Sequence, residues 1–199
     1  MEEWPTLEEQ IEAAGIHYPR SYDITYRIGY ILQSIGATGF FLLYFLKSGF
    51  SIIPLLIFEA GITLSSLFLL VWKKEIKRFI LIMTFSGIAI QVLSFFISDY
   101  RTNIFCLGLA FILVGGAGLI GKEAYCFGFI EGWLLLLLYP FAIIPNIFGF
   151  GSHNLNLFLS GAIAFLQVSF LRKKLSQPLL KSCKGVCGLP EGMGGNKEQ

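Results

Sequence analysis

Six apolar runs, each about as long as a helix that crosses a bilayer, alternate along this chain with short polar joints. They cover residues 28–46, 52–72, 79–97, 104–120, 129–148 and 155–171. About 20 residues rising 1.5 Å each span roughly 30 Å of hydrocarbon. Hydrocarbon offers no water to backbone groups, so each run is predicted to be a helix. The joints are short, which makes consecutive helices antiparallel neighbours. The pattern therefore predicts an all-α fold, a bundle of six transmembrane helices with both termini on one face. Residues 1–27 then form an N-terminal segment, 28–171 the membrane domain and 172–199 a tail.

The flanks carry their own signals. Thr6-Leu7-Glu8-Glu9 has the form of a capping box, with Thr6 as N-cap and Glu9 reaching back to it. Leu7, Ile11 and Ala14 fall on one face of a short amphipathic helix that Gly15 ends. Tyr18, Tyr22, Tyr26 and Tyr30 follow at four-residue spacing and are expected at the membrane–water boundary, where amphipathic rings gather. After Lys174 the recurring Pro and Gly residues argue against regular structure.

Composition supports the membrane reading. The chain is 55% hydrophobic and 14% charged, against about 25% charged in soluble domains. Its basic residues flank apolar runs and build no soluble basic face, which excludes nucleic-acid binding. The acidic N-terminus has no basic segment followed by a short apolar core, so no cleaved secretory signal is expected. Of the fifteen Lys and Arg residues, six helices place thirteen on the face holding both termini, here face A. Only Lys47 and Arg101 fall on the opposite face B. The positive-inside rule then makes face A cytoplasmic, or stromal in a plastid.

Polar groups within or beside the apolar runs are the candidates for chemistry, because charge there costs roughly 2.5–3.5 kcal/mol by insertion scales. Glu59 lies deep in the second run. It reads either as a hydrogen-bonded carboxyl that fixes helix packing or as a group that handles protons or ions. Lys122, Glu123 and Glu131 lie between the fourth and fifth runs, the first two at an expected turn. Lys122 and Glu123 are adjacent and are not expected to pair, since neighbours do not face each other on a helix. If the fifth helix begins at Glu123, both acids share one broad side of it and could line a cavity; equally, Lys122 and Glu123 read as ordinary headgroup-level residues. Pro140 and Pro145 would free backbone carbonyls in that helix, with Asn146 as a candidate partner. A loose match between 58–61 and 130–133 allows the two halves of the chain to be an inverted repeat. Gly29, Gly36, Gly39, Gly115, Gly116, Gly118 and Gly161 are expected to let helices approach closely, and Thr63, Ser65 and Ser66 to bond between helices.

Cys106 and Cys126 read as small buried hydrophobes. Cys183 and Cys187 form a CxxxC in the tail, a candidate redox or metal pair whose spacing matches neither a thioredoxin-like motif nor a zinc pattern. His17 and His153 stand apart, and no hydrolase, nucleotide-binding or metalloprotease signature is present, so no cofactor or metal is expected.

The stretch Gly121-Lys122-Glu123-Ala124-Tyr125-Cys126-Phe127, following a glycine-rich run, resembles a family of uncharacterised integral membrane proteins. That family is classed under a domain of unknown function and is known chiefly from cyanobacteria and plastid-bearing eukaryotes. The resemblance covers about residues 18–174. It implies a thylakoid or plasma-membrane location and no activity. Three function classes follow from the residues. The first is a non-enzymatic factor that binds or helps assemble a larger membrane complex, with other membrane-protein subunits as partners besides the lipid bilayer. The second is a small proton- or ion-coupled transporter using Glu59, Glu123 and Glu131. The third is a membrane enzyme or redox protein using the Lys122–Cys126 region or the tail cysteines. Without a catalytic motif, the first is the expectation.

Overall fold

The computed structural model of the chain describes residues 20–47, 52–70, 74–97 and 100–177. The amphipathic helix expected near Thr6, together with Tyr18 and the tail with Cys183 and Cys187, lies outside the described residues. The described residues form six helices: α1 Arg20–Phe45, α2 Ile52–Leu67, α3 Lys74–Ser94, α4 Arg101–Phe127, α5 Ile130–Ile147 and α6 His153–Ser176. Five are long and apolar enough to cross a membrane. The exception, α2, has 16 residues, about 24 Å of helix. Its run was expected to be helical through residue 72. Instead the chain turns at Phe68, and Leu69 and Leu70 are fully buried without helical structure.

The helices alternate in direction. Gly36 of α1 meets Phe58 of α2, while Gly29 further back meets Gly61 and Ser65. Gly87 of α3 meets Gly108 and Ile112 of α4. Asn146 of α5 pairs with Asn156 of α6, and Ser34 of α1 bonds the Gln167 backbone of α6. The packing closes a ring in which α1 contacts α2 and α6, α5 contacts α4 and α6, and α2 touches α4. Against that ring α3 lies outside, packed along α4 and the edge of α2. One end of the bundle, the A end, gathers the start of α1 and the end of α6. There Arg27 donates to the Gln177 carbonyl at 2.7 Å.

Small residues make these approaches possible. A Cβ on Gly61 would lie 2.6 Å from the Gln33 backbone nitrogen, and one on Gly87 2.5 Å from the Gly108 carbonyl oxygen. Such closeness lets dispersion hold helices together where lipid offers no hydrophobic driving force. Of the hydroxyls expected to bond between helices, Ser65 does so, donating to the Tyr26 carbonyl at 3.2 Å. Thr63 and Ser66 instead bond carbonyls of their own helix.

The A end departs most from the sequence pattern. The fourth run was expected to stop at residue 120, yet α4 continues to Phe127 and carries Lys122 and Glu123 inside its last turns. Gly128 ends it at φ 66°, donating its N–H to the Ala124 carbonyl. Glycine enters this left-handed region without a Cβ penalty. The turn thus falls after Glu123, and the fifth helix begins near Glu131, so the two acids share no helix. Similarly, α1 starts at Arg20 rather than near residue 28 and draws Asp23 and Arg27 into the bundle. Tyr26 and Tyr30, expected at the membrane boundary, are fully buried in the core. Their hydroxyls find polar partners there.

Candidate functional site: a buried charge cluster and an apolar cavity

Glu123 stands at the centre of the A end, fully buried. Its Oε2 accepts from Lys174 Nζ of α6 at 2.6 Å. Its Oε1 accepts from Lys122 Nζ at 3.0 Å and from the Tyr26 hydroxyl of α1 at 2.6 Å. Lys122 and Glu123 therefore do pair, contrary to the expectation for adjacent residues. The lysine stem is long enough to bend back to its neighbour when both point into the bundle. Tyr26 spends its only proton on Glu123, so in the 3.1 Å contact with Tyr30 it is Tyr30 that donates. The Lys174 ammonium also sits 4.9 Å from the Phe127 ring centre and 5.2 Å from that of Tyr26, within cation–π range.

A second ion pair braces the first. Arg27 Nε bonds Asp23 Oδ1 at 3.0 Å and its NH2 bonds Oδ2 at 3.1 Å, a fork that satisfies both carboxylate oxygens. The same guanidinium reaches the Lys174 carbonyl at the last turn of α6, where the helix presents negative partial charge. Removing ions from water costs several kcal/mol each. That cost is met here by three donors on one carboxylate and two aromatic faces on one ammonium. The cluster ties α1, α4 and α6 together across the ring.

Below it runs a polar chain. Tyr139 of α5 donates to Gln167 Oε1 of α6 at 3.0 Å. Gln167 donates to Gln33 Oε1 of α1 at 3.3 Å, and Gln33 to Ser65 Oγ of α2 at 3.1 Å. Every member is buried and bonded. Such a satisfied network specifies one arrangement of the four helices it joins.

At the opposite B end the ring opens into a cavity of about 350 Å³. Ala37, Phe58, Leu113, Ile143 and Ile163 are buried at its floor, with Phe58 edge-on to Tyr139. Tyr44, Phe105, Asn146 and Asn156 are half-buried at its rim. None of the acids expected to line a cavity does so. Asn146 bonds the Ala142 carbonyl and Asn156, rather than the Leu136 and Phe141 carbonyls that Pro140 and Pro145 leave without donors.

The remaining expected residues are dispersed. Glu59, buried in α2, accepts from Gln91 Nε2 of α3 at 2.7 Å and has no ion-pair partner among the described residues. Glu131, at the start of α5, pairs with the half-exposed Lys173 at 2.7 Å and accepts from Ser169. The two positions that a repeat would equate thus differ in burial and in partners. Cys106 lines the cavity and Cys126 is buried beside the cluster. Among the described residues no three His, Cys, Asp or Glu side chains gather where a metal would bind. Lys174, Gln33, Gln91 and Gln167 are not singled out as site residues by the sequence, and Tyr26 is marked there only as a boundary ring. The glutamines were visible as polar residues inside apolar runs, whereas Lys174 was hidden in a basic flank.

The profile of the family described as "Uncharacterized integral membrane protein (DUF2301)" matches residues 62–183. The match begins in α2 and runs through α6, whereas the resemblance was expected from about residue 18; α1 lies outside it. No curated protein and no solved structure matches the chain.

Proposed function

This chain belongs to that family of integral membrane proteins, and we propose that it is a small carrier, open at the B end and sealed at the A end. The observation that supports this reading is a cavity walled by the ring helices at one end of the bundle together with a buried ionic plug at the other. Carriers bind near mid-membrane and alternate access by rearranging helices around the site. Here the plug joins α1, α4 and α6 through Tyr26, Glu123 and Lys174, so parting these helices opens the other route. Lys122 keeps Glu123 paired when Lys174 withdraws. Glu59, a buried acid with no ion-pair partner among the described residues, is the group assigned to proton coupling. In this reading α2 counts as the second of six spans, and face A, with its thirteen basic residues, is cytoplasmic or stromal. The membrane is a plasma or thylakoid membrane.

The test is thiol access. In a chain whose other cysteines are replaced, native Cys106 should react with a membrane-impermeant maleimide added from the B face. In Glu123→Gln it should become reactive from the A face as well. If Cys106 stays unreactive from the B face, or the substitution leaves sidedness unchanged, the carrier reading fails.

A second reading, docking to other membrane subunits, draws on α3. It packs outside the ring and exposes Phe79, Ile82, Phe85 and Val92. Co-migration with a large assembly after mild detergent extraction, lost on polar substitution of Phe85, would favour it. A free monomer or homodimer would remove it.

A further inference from the structure

We infer that the B-end cavity takes a neutral lipophile bearing one hydroxyl or carbonyl group, held by Asn146 and Asn156 at the rim with its apolar body toward Phe58 and Leu113. This rests on the carrier reading and names its cargo. Three observations carry it. First, no acidic, basic or histidine side chain lines the cavity among the described residues. An ionised cargo would lose its water without gaining a counter-charge. Second, a volume of about 350 Å³ lies at the lower end of the range for sites that enclose drug-sized molecules. Its walls are almost wholly aliphatic and aromatic, which selects for apolar bulk.

Third, the asparagine pair is preset to receive one polar group. Asn146 Nδ2 donates to Asn156 Oδ1 at 3.1 Å and to the Ala142 carbonyl, which uses both of its hydrogens. Asn156 Nδ2 returns a bond to Asn146 Oδ1 at 2.8 Å and keeps one hydrogen. Each amide oxygen keeps acceptor capacity. The pair therefore offers one donor and two acceptors: a hydroxyl accepts from the free N–H and donates to one amide oxygen, whereas a carbonyl can only accept. Gly151 sits behind it, so close that a Cβ there would lie 2.8 Å from Asn146 Oδ1. That backing holds the amides in place before a ligand arrives.

The experiment is photolabelling of the full chain in liposomes with diazirine-bearing medium-chain probes: an alcohol, the matching alkane, the carboxylate and the quaternary ammonium. The alcohol should label cavity residues such as Leu159 and Phe105 most strongly. Asn156→Leu should weaken the alcohol's labelling about five- to tenfold, as expected for loss of one buried hydrogen bond, and leave the alkane unchanged. Ala142→Phe, which fills the cavity, should abolish both. Because that variant can fail to fold, Asn156→Leu, checked for the same elution profile, is decisive. Equal labelling by alkane and alcohol would mean that lipid tails fill the space and would overturn the assignment. So would labelling by the carboxylate or the ammonium as strong as that by the alcohol. If those failures occur while Cys106 access still changes sides, the cargo class falls and the carrier stands. Alcohol-selective labelling with Cys106 reactive from the B face alone in every variant would keep the cargo class and remove the carrier.

Discussion

Lys174 of α6 and Glu123 of α4 meet at 2.6 Å with side chains 1% and 0% exposed, closing the A end of the bundle. The pair is unequal, because Lys122 also bonds the same carboxylate at 3.0 Å. Two cations sharing one anion respond differently to losing each member, and that asymmetry can be measured.

Glu123→Gln strands two buried ammonium groups and should cost about 3–5 kcal/mol, the range for breaking a buried pair from one side. Lys174→Met leaves Glu123 paired with Lys122 and should cost less. Lys122→Met, which keeps the cross-helix bond, should cost least. Unfolding in mixed micelles would give the order, and equal losses in all three would contradict a cluster centred on Glu123.

Tyr26→Phe removes the α1 donor to Glu123 and leaves the Tyr30 hydroxyl without its acceptor. The expected loss is about 1–3 kcal/mol, as for a buried group left unsatisfied. Tyr30→Phe removes only an outer donor, so it should cost less. The comparison uses the same unfolding assay, and a larger loss for Tyr30→Phe would reverse the direction assigned to this chain of hydroxyls.

Gln91→Leu takes from the buried Glu59 carboxyl its one side-chain donor among the described residues and should destabilise by about 1–3 kcal/mol. In Glu59→Gln the new amide oxygen still accepts from Gln91, so the change should be smaller. Replacing both residues with leucine should recover much of the single-variant loss, because no polar group is then stranded. A double variant no better than Gln91→Leu would show that the carboxyl is held by something else.

Gly61→Val drives a side chain into the Gln33 backbone, 2.6 Å from the Cβ position. Overpacking of this kind costs about 1–3 kcal/mol or more, and here it also splays α1 from α2. Gly128→Ala has open space around its Cβ but must hold φ 66°, at about 1–2 kcal/mol for the left-handed region. Gly128→Asn should lose less. Thermal unfolding separates the two mechanisms: asparagine at 128 recovers stability, whereas no side chain at 61 does.

The apolar pattern alone carried the all-α class, the order of the six helices among the described residues, and the alternation of direction. Those properties follow from local facts: runs of about 20 apolar residues, helices forced by unsatisfied backbone groups, and joints too short to cross the bundle. The pattern also marked Glu59, Lys122, Glu123 and Glu131 as costly residues. Hydropathy was misleading at the A end, where it cut α1 and α4 short at their charged residues. It reads each residue's own transfer cost and is blind to partners, so it could not see that Lys174, 51 positions from Glu123, offsets that cost. For the same reason Tyr26 and Tyr30, with the signature of a membrane boundary, proved to be core residues, Tyr26 held by a bond to Glu123 that exists only once α1 meets α4. The cavity had no sequence signal at all. Its walls come from five helices and its polar rim from Asn146 and Asn156, and only tertiary packing decides which apolar faces touch and which leave a space between them.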